Sequence, residues 1–528
     1  MPTPKRLGGS SGIVVSSILV LVVAAVVALT TLYDLDGTPP GLYIDEVAIA
    51  LTARALWETG ADLEGTFLPL YPRSFRDREQ PIPVNPVFLY TAIPFAIGGP
   101  GARASRLPAV LWCWVAAAGI GLCVHELTRS RAIGFAVGAG AALTPWLFVL
   151  GRMGWEAISF PAITSLAVWS LLRGARTRST AAFVLSGALF GLSLYAYSTA
   201  RLLVPLTIIA VGSIWLSDAR SRIPVAWTII LAVLMALPLA YYMGQHPGAL
   251  TWRMSVSSIW SDSPAPADLV KRFATNFLRY FSPRFLFLEG DTNLRHGTGR
   301  GMLPWIAAPL IIAGLWEAWR RRGERPVQLI VACLLIAPAA AALTTDGQPH
   351  AIRSITTVIF WAALAGIGLQ RLLAILPGRR FVACALALLA VINAGVFAAD
   401  YFGAWRDRAF GSFDGGKGVV LKEAFARRAG RPLYVPAALL HHVRMEVFIP
   451  YWGHLPVKRW LDAGPDSFGI HAERGELPRE AIVVRGWYLD APDGTLPGAP
   501  RAAEPPSGFH SVFNVTHGRM RTYDLFER

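Results

Sequence analysis

Apolar residues fill long continuous stretches of the chain, and polar residues collect in the connections between them. Eleven stretches, most of about 17 to 21 residues, are long enough to cross a hydrocarbon core of about 30 Å as helices. They lie near residues 13–33, 108–126, 132–150, 157–173, 181–197, 202–216, 224–243, 303–319, 327–343, 354–372 and 381–399. The pattern predicts an all-α polytopic membrane domain of about eleven transmembrane helices over residues 1–399.

Arginines are divided unevenly between the short connections. One set of short loops carries a single arginine each, Arg152, Arg201 and Arg353. The alternate set carries two or more: Arg129 and Arg131; Arg173, Arg176 and Arg178; Arg220 and Arg222; Arg320, Arg321, Arg322 and Arg325; Arg371, Arg379 and Arg380. Because basic residues collect in cytoplasmic loops, we expect a multi-pass protein of the cytoplasmic (inner) membrane with a cytoplasmic N-terminus. Segments 34–107, 244–302 and 400–528 are then extracytoplasmic.

The two long segments and the tail have predicted elements of their own. Residues 45–59 form a predicted helix that Gly60 ends, and the stretch with Pro81, Pro83 and Pro86 is predicted to be extended. Residues 266–281 predict an amphipathic helix that lies on the bilayer surface. A predicted helix over 417–428 and predicted strands near 432–436, 481–488 and 508–515 indicate a small soluble extracytoplasmic α/β domain over residues 400–528.

Composition supports a membrane protein and argues against nucleic acid as a partner. Hydrophobic residues make up 54% of the 528 residues and charged residues only 16%. This charged fraction is well below the roughly 25% that is usual in soluble proteins. The formal net charge is +15, but the tail from Asp400 carries 17 basic against 15 acidic residues. The basic excess therefore belongs to the membrane part. All four cysteines fall within apolar runs, which predicts neither a disulfide framework nor a zinc site.

Asp45 and Glu46 are adjacent carboxylates at the start of the predicted loop helix, shortly after the first apolar stretch. One interpretation is structural, because aspartate caps helices well and acidic residues in the first turn complement the helix dipole. The other is catalytic: a carboxylate held at a helix N-terminus can accept a proton from a hydroxyl or amine nucleophile. The two residues alone leave both interpretations open.

A connected pattern around this pair resembles a known family. It consists of the first span, the Asp-Glu pair, Gly65 with Leu68-Pro69, Asn85-Pro86 with Tyr90, and Arg106-Leu107-Pro108 entering the second span. This pattern, over roughly residues 13–127, is similar to GT-C glycosyltransferases of family 39, the protein O-mannosyltransferase and lipid A aminoarabinose transferase type. The remainder agrees with that family in span number, sidedness and a soluble tail.

The resemblance implies inverting transfer of one sugar from a polyprenyl-phosphate donor to an acceptor outside the cytoplasm. It implies Asp45 as the base, with Glu46 beside it, and a second carboxylate at Glu156, where an aspartate would match the family more closely. The departing phosphate carries two negative charges, so cations are needed to hold it. The candidates are Arg152, Arg201, Arg295 and Arg353, each of which has lipid anchoring as its alternative role.

A divalent metal is the only cofactor that the resemblance suggests. Glu79 and His296 match, loosely, positions that hold a metal in the aminoarabinose enzyme, although Gln80 stands where that enzyme has lysine. His350, near Arg353, is a further candidate for lining the same cavity, although a histidine in an outer loop is more often solvated.

Two other classes of function compete with the glycosyltransferase. A transporter or flippase of a lipid-linked glycan would show internal repeats and charged or broken helices at the bilayer midplane, whereas the ionisable residues here gather at the outer boundary. An assembly factor would leave the Asp45 cluster without a role. The expected partners are the polyprenyl-phosphate sugar, a lipid, glycan or protein acceptor, and membrane lipids; the sequence does not identify the sugar or the acceptor.

Overall fold

A bundle of long apolar helices carries two structured loops and a small mixed domain at one end. The structure, a computed structural model, describes residues 10–75, 83–441, 445–486, 504–517 and 520–528. The helices up to the end of the bundle are α1 (Ser10–Leu32), α2 (Ile44–Thr59), α3 (Pro86–Ala96), α4 (Ala102–Thr128), α5 (Arg131–Ala142), α6 (Pro145–Leu150), α7 (Ser159–Thr177), α8 (Thr180–Ser193), α9 (Ala200–Trp215), α10 (Arg222–Gln245), α11 (Trp252–Ser257), α12 (Pro266–Arg279), α13 (Ala307–Arg320), α14 (Arg325–Ile336), α15 (Ala339–Ala342), α16 (Thr357–Ile375) and α17 (Arg379–Phe402).

Every predicted apolar stretch contains a helix, but two of the stretches are interrupted. A break separates α5 from α6, where Pro145 is the first residue of α6 and the Thr144 side chain caps it by accepting from the Leu147 N–H. Pro338 similarly separates α14 from α15. Among the described residues, six segments are long and apolar enough to cross a membrane: Ala102–Thr128, Glu156–Thr177, Arg222–Gln245, Arg325–Ala342, Thr357–Ile375 and Arg379–Arg408. The count of eleven spans stays a prediction.

The outer surface of the bundle is apolar, as lipid contact requires. On α17, for example, Phe381, Leu388 and Val391 are exposed by 78%, 61% and 68%. A soluble protein rarely exposes a continuous apolar surface of this kind. Inside the bundle, α13 and α16 approach closely because Gly314 and Gly368 face the partner backbone, where a Cβ would overlap the carbonyl oxygens of Leu364 and Leu310.

The two ends of the bundle differ. One end, here called the loop face, carries residues 33–75, 83–101 and 246–306 together with the C-terminal domain. The other end, here called the arginine-rich face, carries the connections α4–α5, α7–α8, α9–α10 and α13–α14, whose arginines lie around one depression. The fold therefore places these four connections on the same side of the bundle, as the arginine pattern predicts.

The loop helices agree with the sequence pattern except at one proline. Helix α2 ends at Gly60, which adopts a left-handed conformation (φ +71°) and donates its N–H to the Leu56 carbonyl. Helix α12 is amphipathic and lies against the bundle, where Asn276 donates to the carbonyls of Ala342 and Thr344. The expectation that Pro86 lies in an extended stretch is wrong. Pro86 begins α3, because proline fits the first turn of a helix, where no N–H partner is needed.

The C-terminal domain is the predicted small α/β domain. Its helices are α18 (Ala404–Arg408), α19 (Lys417–Arg428), α20 (Ala438–His441), α21 (Phe448–Trp452) and α22 (Val457–Ala463), and its strands are β1 (Leu433–Val435), β2 (Ile470–Ala472), β3 (Ile482–Gly486), β4 (His510–His517) and β5 (Met520–Glu527). The sheet order is β2-β1-β3-β5-β4, parallel from β2 to β3 and antiparallel from β3 to β4. The sequence pattern predicts α19, β1, β3 and β4 but misses β2 and β5.

Helix α2 joins the C-terminal domain to the bundle. Its Val47 and Leu51 share a hydrophobic core with Val420 of α19 and Ile482 of β3. Arg54 donates to the carbonyls of Pro450 and Leu455. Helix α2 of the first long loop therefore packs between the bundle and the domain and is not freely solvated.

A buried ion pair holds the first turn of α2 on α4. The Glu46 carboxylate accepts from Arg106 Nε at 3.1 Å, and both side chains have no exposed surface. The other oxygen of Glu46 accepts from the Tyr43 N–H at 3.0 Å, which makes a capping box, and the Gly154 N–H donates to the first oxygen at 2.8 Å. Arg106 also donates to the carbonyls of Leu35, Pro39 and Gly41. Glu46 is therefore bound on both oxygens by the protein itself.

We predict that Glu46→Gln destabilises the fold, because it leaves the Arg106 charge buried without its counter-ion. The expected loss is about 3 to 5 kcal/mol in the free energy of unfolding. Glu64→Gln is the matched control, since Glu64 forms a partly exposed ion pair with Arg73 in the same loop and should cost less than about 1 kcal/mol. Thermal unfolding of the purified variants measures both. Equal losses in the two variants would contradict a structural role for Glu46.

Candidate functional site

Four of the predicted site residues, Asp45, Glu156, Arg201 and Arg295, come together at the loop face, near the first turn of α2, the starts of α3 and α9, and residues 155–158. Residues 291–296 and 348–353 border the same region. Asp45 lies in the first turn of α2 and is half-buried. Its position at a helix N-terminus favours a negatively charged carboxylate.

Tyr43 and Arg295 flank Asp45. The Arg295 guanidinium lies over the Tyr43 ring, 4.3 Å from its centroid. Burial, and then the neighbouring Asp45 charge, raise the pKa of Tyr43 to about 12, while Arg295 acts in the opposite direction. The phenol of Tyr43 therefore stays protonated at physiological pH, and the charges of Asp45 and Arg295 both act on it.

A chain of hydrogen bonds runs from Glu156 to Arg201. Asn85 Nδ2 donates to Glu156 Oε1 at 2.6 Å, and Arg201 Nη2 donates to Asn85 Oδ1 at 3.1 Å. Arg201 Nη1 donates to the Leu250 carbonyl at 3.1 Å. The guanidinium is thereby fixed by two elements: Asn85 is the residue that caps α3, and Leu250 belongs to the second long loop.

Arg201 and Tyr71 each have a buried polar hydrogen without a hydrogen-bond acceptor in the described part of the chain. Among the described residues, Arg201 Nε and Tyr71 Oη are buried and have no hydrogen-bond partner. The Arg201 guanidinium lies 5.5 Å from the Tyr71 ring centroid. Burial raises the pKa of Tyr71 to about 12, while the Arg201 charge and a weak polar contact of Arg201 with the phenol, short of hydrogen-bond geometry, act in the opposite direction, so the hydroxyl keeps its proton. Unsatisfied buried donors are rare in proteins, and an anionic ligand oxygen would satisfy both.

The two carboxylates of the site are neighbours. Asp45 and Glu156 are close enough for an electrostatic interaction. Trp155 connects their surroundings to the second long loop, because its ring packs against Tyr43 at 5.6 Å and against His296 at 5.8 Å between centroids. Asp45, Glu156, Arg201 and Arg295 thus surround one region.

Arg152 does not join this group. Its side chain is 1% exposed, and its two terminal nitrogens donate to the carbonyls of Thr30, Thr31, Tyr33, Asp34 and Thr38. It also lies over the rings of Phe148, Tyr401 and Phe402. We therefore revise the expected phosphate-binding role of Arg152 to a structural one, which fixes the end of α1 to α17.

Arg353 has different contacts from Arg201, because a carboxylate already binds it. It forms an ion pair with Asp346 at 3.1 Å, and the Asp346 side chain is 62% exposed. An anion at Arg353 would therefore compete with a carboxylate that is already bound. Of the four arginines predicted to bind phosphate, Arg201 and Arg295 have the geometry that fits best.

A buried group of metal-ligating side chains borders the region. Ligand atoms of Asp291, His296 and His350 lie within 4.8 Å of one another. Asp291 Oδ2 lies 3.1 Å from His296 Nδ1 and accepts from the Ala351 N–H at 2.8 Å. The rings of His296 and His350 are stacked at 4.5 Å. Of the two predicted metal ligands, His296 belongs to this group, whereas Glu79 lies outside the described residues.

Sequence reasoning missed Tyr71, and it gave no specific role to Asn85, which belongs to the family pattern, or to Asp291, which lies in the same loop stretch as Arg295 and His296. Asn85 was visible as part of the Asn85-Pro86 pair, and asparagine before proline is a common helix start. Asp291 precedes His296 by five residues, a spacing that indicates a local carboxylate–histidine contact only once the loop conformation is known. Tyr71 carries no signal in the sequence, because its neighbour Arg201 is distant along the chain.

Comparison with known proteins agrees with this fold. The sequence pattern of the dolichyl-phosphate-mannose-protein mannosyltransferase family matches residues 81–242. No curated protein matches the chain by sequence. Two solved structures of ArnT from Cupriavidus metallidurans are similar: the form bound to undecaprenyl phosphate has a TM-score of 0.55 and 14% identity over 96% of this chain and 98% of that chain, and the apo form 0.55 and 15% over 97% and 98%.

A third similar structure is the oligosaccharyltransferase of Archaeoglobus fulgidus, with a TM-score of 0.44 and 12% identity over 90% of this chain and 69% of that chain. The apolar helices and the ArnT fold make the chain a multi-pass membrane protein. The resemblance to GT-C glycosyltransferases of the protein O-mannosyltransferase and ArnT type is therefore confirmed, by the family pattern over residues 81–242 and by the fold over nearly the whole chain.

Proposed function

We propose that this chain is an inverting glycosyltransferase that moves a single sugar from a polyprenyl-phosphate donor to an envelope acceptor outside the cytoplasm. The observation that carries the proposal is the grouping of two carboxylates, Asp45 and Glu156, with Arg201 and Arg295 at the loop face of an ArnT-like fold. Carboxylates supply the base, and arginines stabilise the phosphate that leaves.

Asp45 acts as the base in this mechanism. Its carboxylate accepts the proton from the acceptor hydroxyl or amine as that atom attacks the anomeric carbon from the face opposite the phosphate. The bond between the anomeric carbon and the phosphate oxygen breaks, and the phosphate departs with the electron pair. Because the phosphate is a good leaving group, no acid partner of the kind that a glycosidase needs is required.

Arg201 and Arg295 bind the donor phosphate. The orphan donors Arg201 Nε and Tyr71 Oη support this assignment, as does the undecaprenyl phosphate bound to the similar ArnT structure. Glu156 and Asn85 act through Arg201: their hydrogen bonds hold the guanidinium in one orientation, so less conformational freedom is lost when phosphate binds. They are positioning residues in this account.

A divalent metal fits the group of Asp291, His296 and His350. Two imidazoles and one carboxylate are a common ligand set for zinc-like ions, and the contact of Asp291 with His296 would orient that ring. When bound, such an ion would fix the second long loop and add positive charge near the donor phosphate.

The transporter remains the competing function, and the site geometry disfavours it. A transporter binds its substrate near the bilayer midplane, between the halves of the bundle. The charged groups described above lie at the end of the bundle, beside the two loops.

We predict that Asp45→Asn lowers sugar transfer by about 10² to 10⁴, because asparagine keeps the size of the side chain but has no basic oxygen. Asp268→Asn is the matched control, since Asp268 also lies in the first turn of a loop helix, α12. Each variant is expressed in a strain that lacks the gene, and the envelope glycans and lipids are profiled by mass spectrometry. A change in the deletion strain that Asp45→Asn fully reverses to the wild-type profile would reject the mechanism and return the transporter to first place.

We predict that Arg201→Ala weakens undecaprenyl phosphate binding by about tenfold or more, the equivalent of one charge-assisted contact. Arg201→Lys should restore it only partly, because lysine lacks the planar fork. Arg279→Ala removes an exposed arginine at the end of α12 on the same face and should have little effect. Native mass spectrometry of lipid binding measures all three. Unchanged binding by Arg201→Ala would move the phosphate site to Arg295 or Arg353.

We predict that the purified protein from metal-supplemented culture contains one divalent ion per chain, and that His296→Ala loses it. His246→Ala is the control, because His246 is an exposed histidine at the end of α10 on the same face. Elemental analysis measures the ratio of metal to protein. A wild-type protein without metal, or equal metal in His296→Ala, would remove metal from the account.

We predict that a reporter fused after Arg528 is active only outside the cytoplasm, since the arginine-rich face is the side that basic residues retain in the cytoplasm. Paired phosphatase and fluorescent-protein fusions measure the side directly. Cytosolic activity of the fusion would mean an even number of spans and a loop face inside the cell.

A further inference from the structure

The arginine-rich face contains a depression that the proposed function does not use. Its volume is about 970 Å³, and the ends of α4, α7 and α9 and the starts of α10 and α14 border it. Six arginines line it, with three carboxylates, Glu126, Asp218 and Glu324, so the walls carry an excess of three positive charges. The arginines are Arg129, Arg176, Arg178, Arg220, Arg321 and Arg325.

Carboxylates fix four of these arginines in position. Glu126, with a side chain only 2% exposed, accepts from Arg176 Nη2 at 3.0 Å and from Arg129 Nη1 at 3.1 Å. Arg325 pairs with Asp218. Arg321 pairs with Glu324 at 2.8 Å. Each guanidinium has five N–H donors, so these pairs orient the arginines without using all of their donors.

The other two arginines have no such neutralising contact. Within the described part of the chain, the side chains of Arg178 and Arg220 form no ion pair or hydrogen bond. Arg178 is exposed at the end of α7, and Arg220 is exposed before α10. The positive excess of the depression is therefore concentrated in two guanidinium groups that are available to an anion.

Two of the arginines have a backbone conformation that favours glycine. Arg129 and Arg178 end α4 and α7 in the left-handed conformation, with φ of +58° and +57°. Glycine adopts this conformation at helix ends without steric cost, whereas arginine does not. Arginine does complement the helix dipole there, but a basic residue one turn earlier would do so without the backbone penalty. Both strained residues line the depression.

Apolar side chains underlie the depression at its floor, with only small edges exposed to it. Leu127, Leu172, Phe183 and Trp215 line it and are almost fully buried. A free phosphate ion needs neither this floor nor this volume. A phospholipid headgroup with the first part of its acyl chains matches this volume better, and the depression lies at the ends of apolar helices long enough to cross a membrane. Basic pockets between transmembrane helices are known to bind anionic lipid headgroups.

We propose that this depression is a binding site for an anionic phospholipid, whose phosphodiester group is held by Arg178 and Arg220 between the fixed arginines. This lipid site lies at the opposite end of the bundle from the proposed donor site. If the loop face is extracytoplasmic, the bound lipid belongs to the cytoplasmic leaflet.

The test uses the full chain, purified in an uncharged detergent. Native mass spectrometry measures binding of dioleoylphosphatidylglycerol, with dioleoylphosphatidylcholine as the zwitterionic comparison and inorganic phosphate as the free-ion comparison. The double variant Arg178→Ala/Arg220→Ala should weaken phosphatidylglycerol binding by about tenfold or more. Arg379→Ala/Arg380→Ala removes the same charge from exposed residues at the start of α17, outside the depression, and should change binding less than about twofold.

Equal losses in the two double variants would overturn the proposal in favour of diffuse attraction to the basic face. Equal binding of phosphatidylcholine would show that the apolar floor alone retains lipid, and phosphate binding that matches that of phosphatidylglycerol would show a free-anion site; either result rejects the lipid assignment. If the alanine variant does not fold, Arg178→Gln/Arg220→Gln keeps side-chain length and polarity and should show the same loss. The donor-binding tests at Arg201 are independent of every one of these outcomes.

Discussion

The buried ion pair between Glu46 and Arg106 is the contact on which the loop face depends. It fastens the first turn of α2 to α4, and the same two side chains also bind the backbone at Tyr43, Gly154 and residues 35–41. Asp45 is the neighbouring residue, so its position follows from this anchor. The opposite side of α2 packs into the C-terminal domain. One pair of charges therefore holds the helix that carries the candidate base and that packs on the C-terminal domain.

Most of the membrane domain was predictable, because a helix that crosses a bilayer needs a long apolar stretch and this requirement is local in sequence. Helices α4, α10, α16 and α17 follow the predicted stretches closely. The exceptions depend on backbone chemistry that hydropathy does not register: Pro145 breaks the third stretch, and Pro86 begins a helix in a segment predicted to be extended. Strands β2 and β5 were missed because their neighbours in the sheet, and not their own pattern, make them strands.

The candidate site was predictable only in part, because the role of a polar residue depends on partners distant in sequence. Arg152 and Arg201 both occupy short loops with one arginine and are indistinguishable by pattern. In the structure, carbonyls of residues 30–38 accept from both terminal nitrogens of Arg152, whereas Asn85, which is bound to Glu156, and Leu250 accept from those of Arg201. The Nε of each arginine has no partner among the described residues, so the surroundings of the two guanidinium groups distinguish them. Asp45 and Glu46 are adjacent, yet Glu46 is bound to Arg106 and two backbone N–H groups, whereas the Asp45 charge acts on Tyr43 and Glu156.

The central claim is that the donor phosphate binds beside Asp45, between Arg201 and Arg295. A structure determined by cryo-electron microscopy with undecaprenyl phosphate bound tests it most directly. The account predicts phosphate oxygens at about 3 Å from Arg201 Nε and from the Arg295 guanidinium, with the Asp45 carboxylate facing the acceptor side of the phosphate. A phosphate bound at Arg353, or at any position from which Asp45 cannot face the sugar, would contradict it.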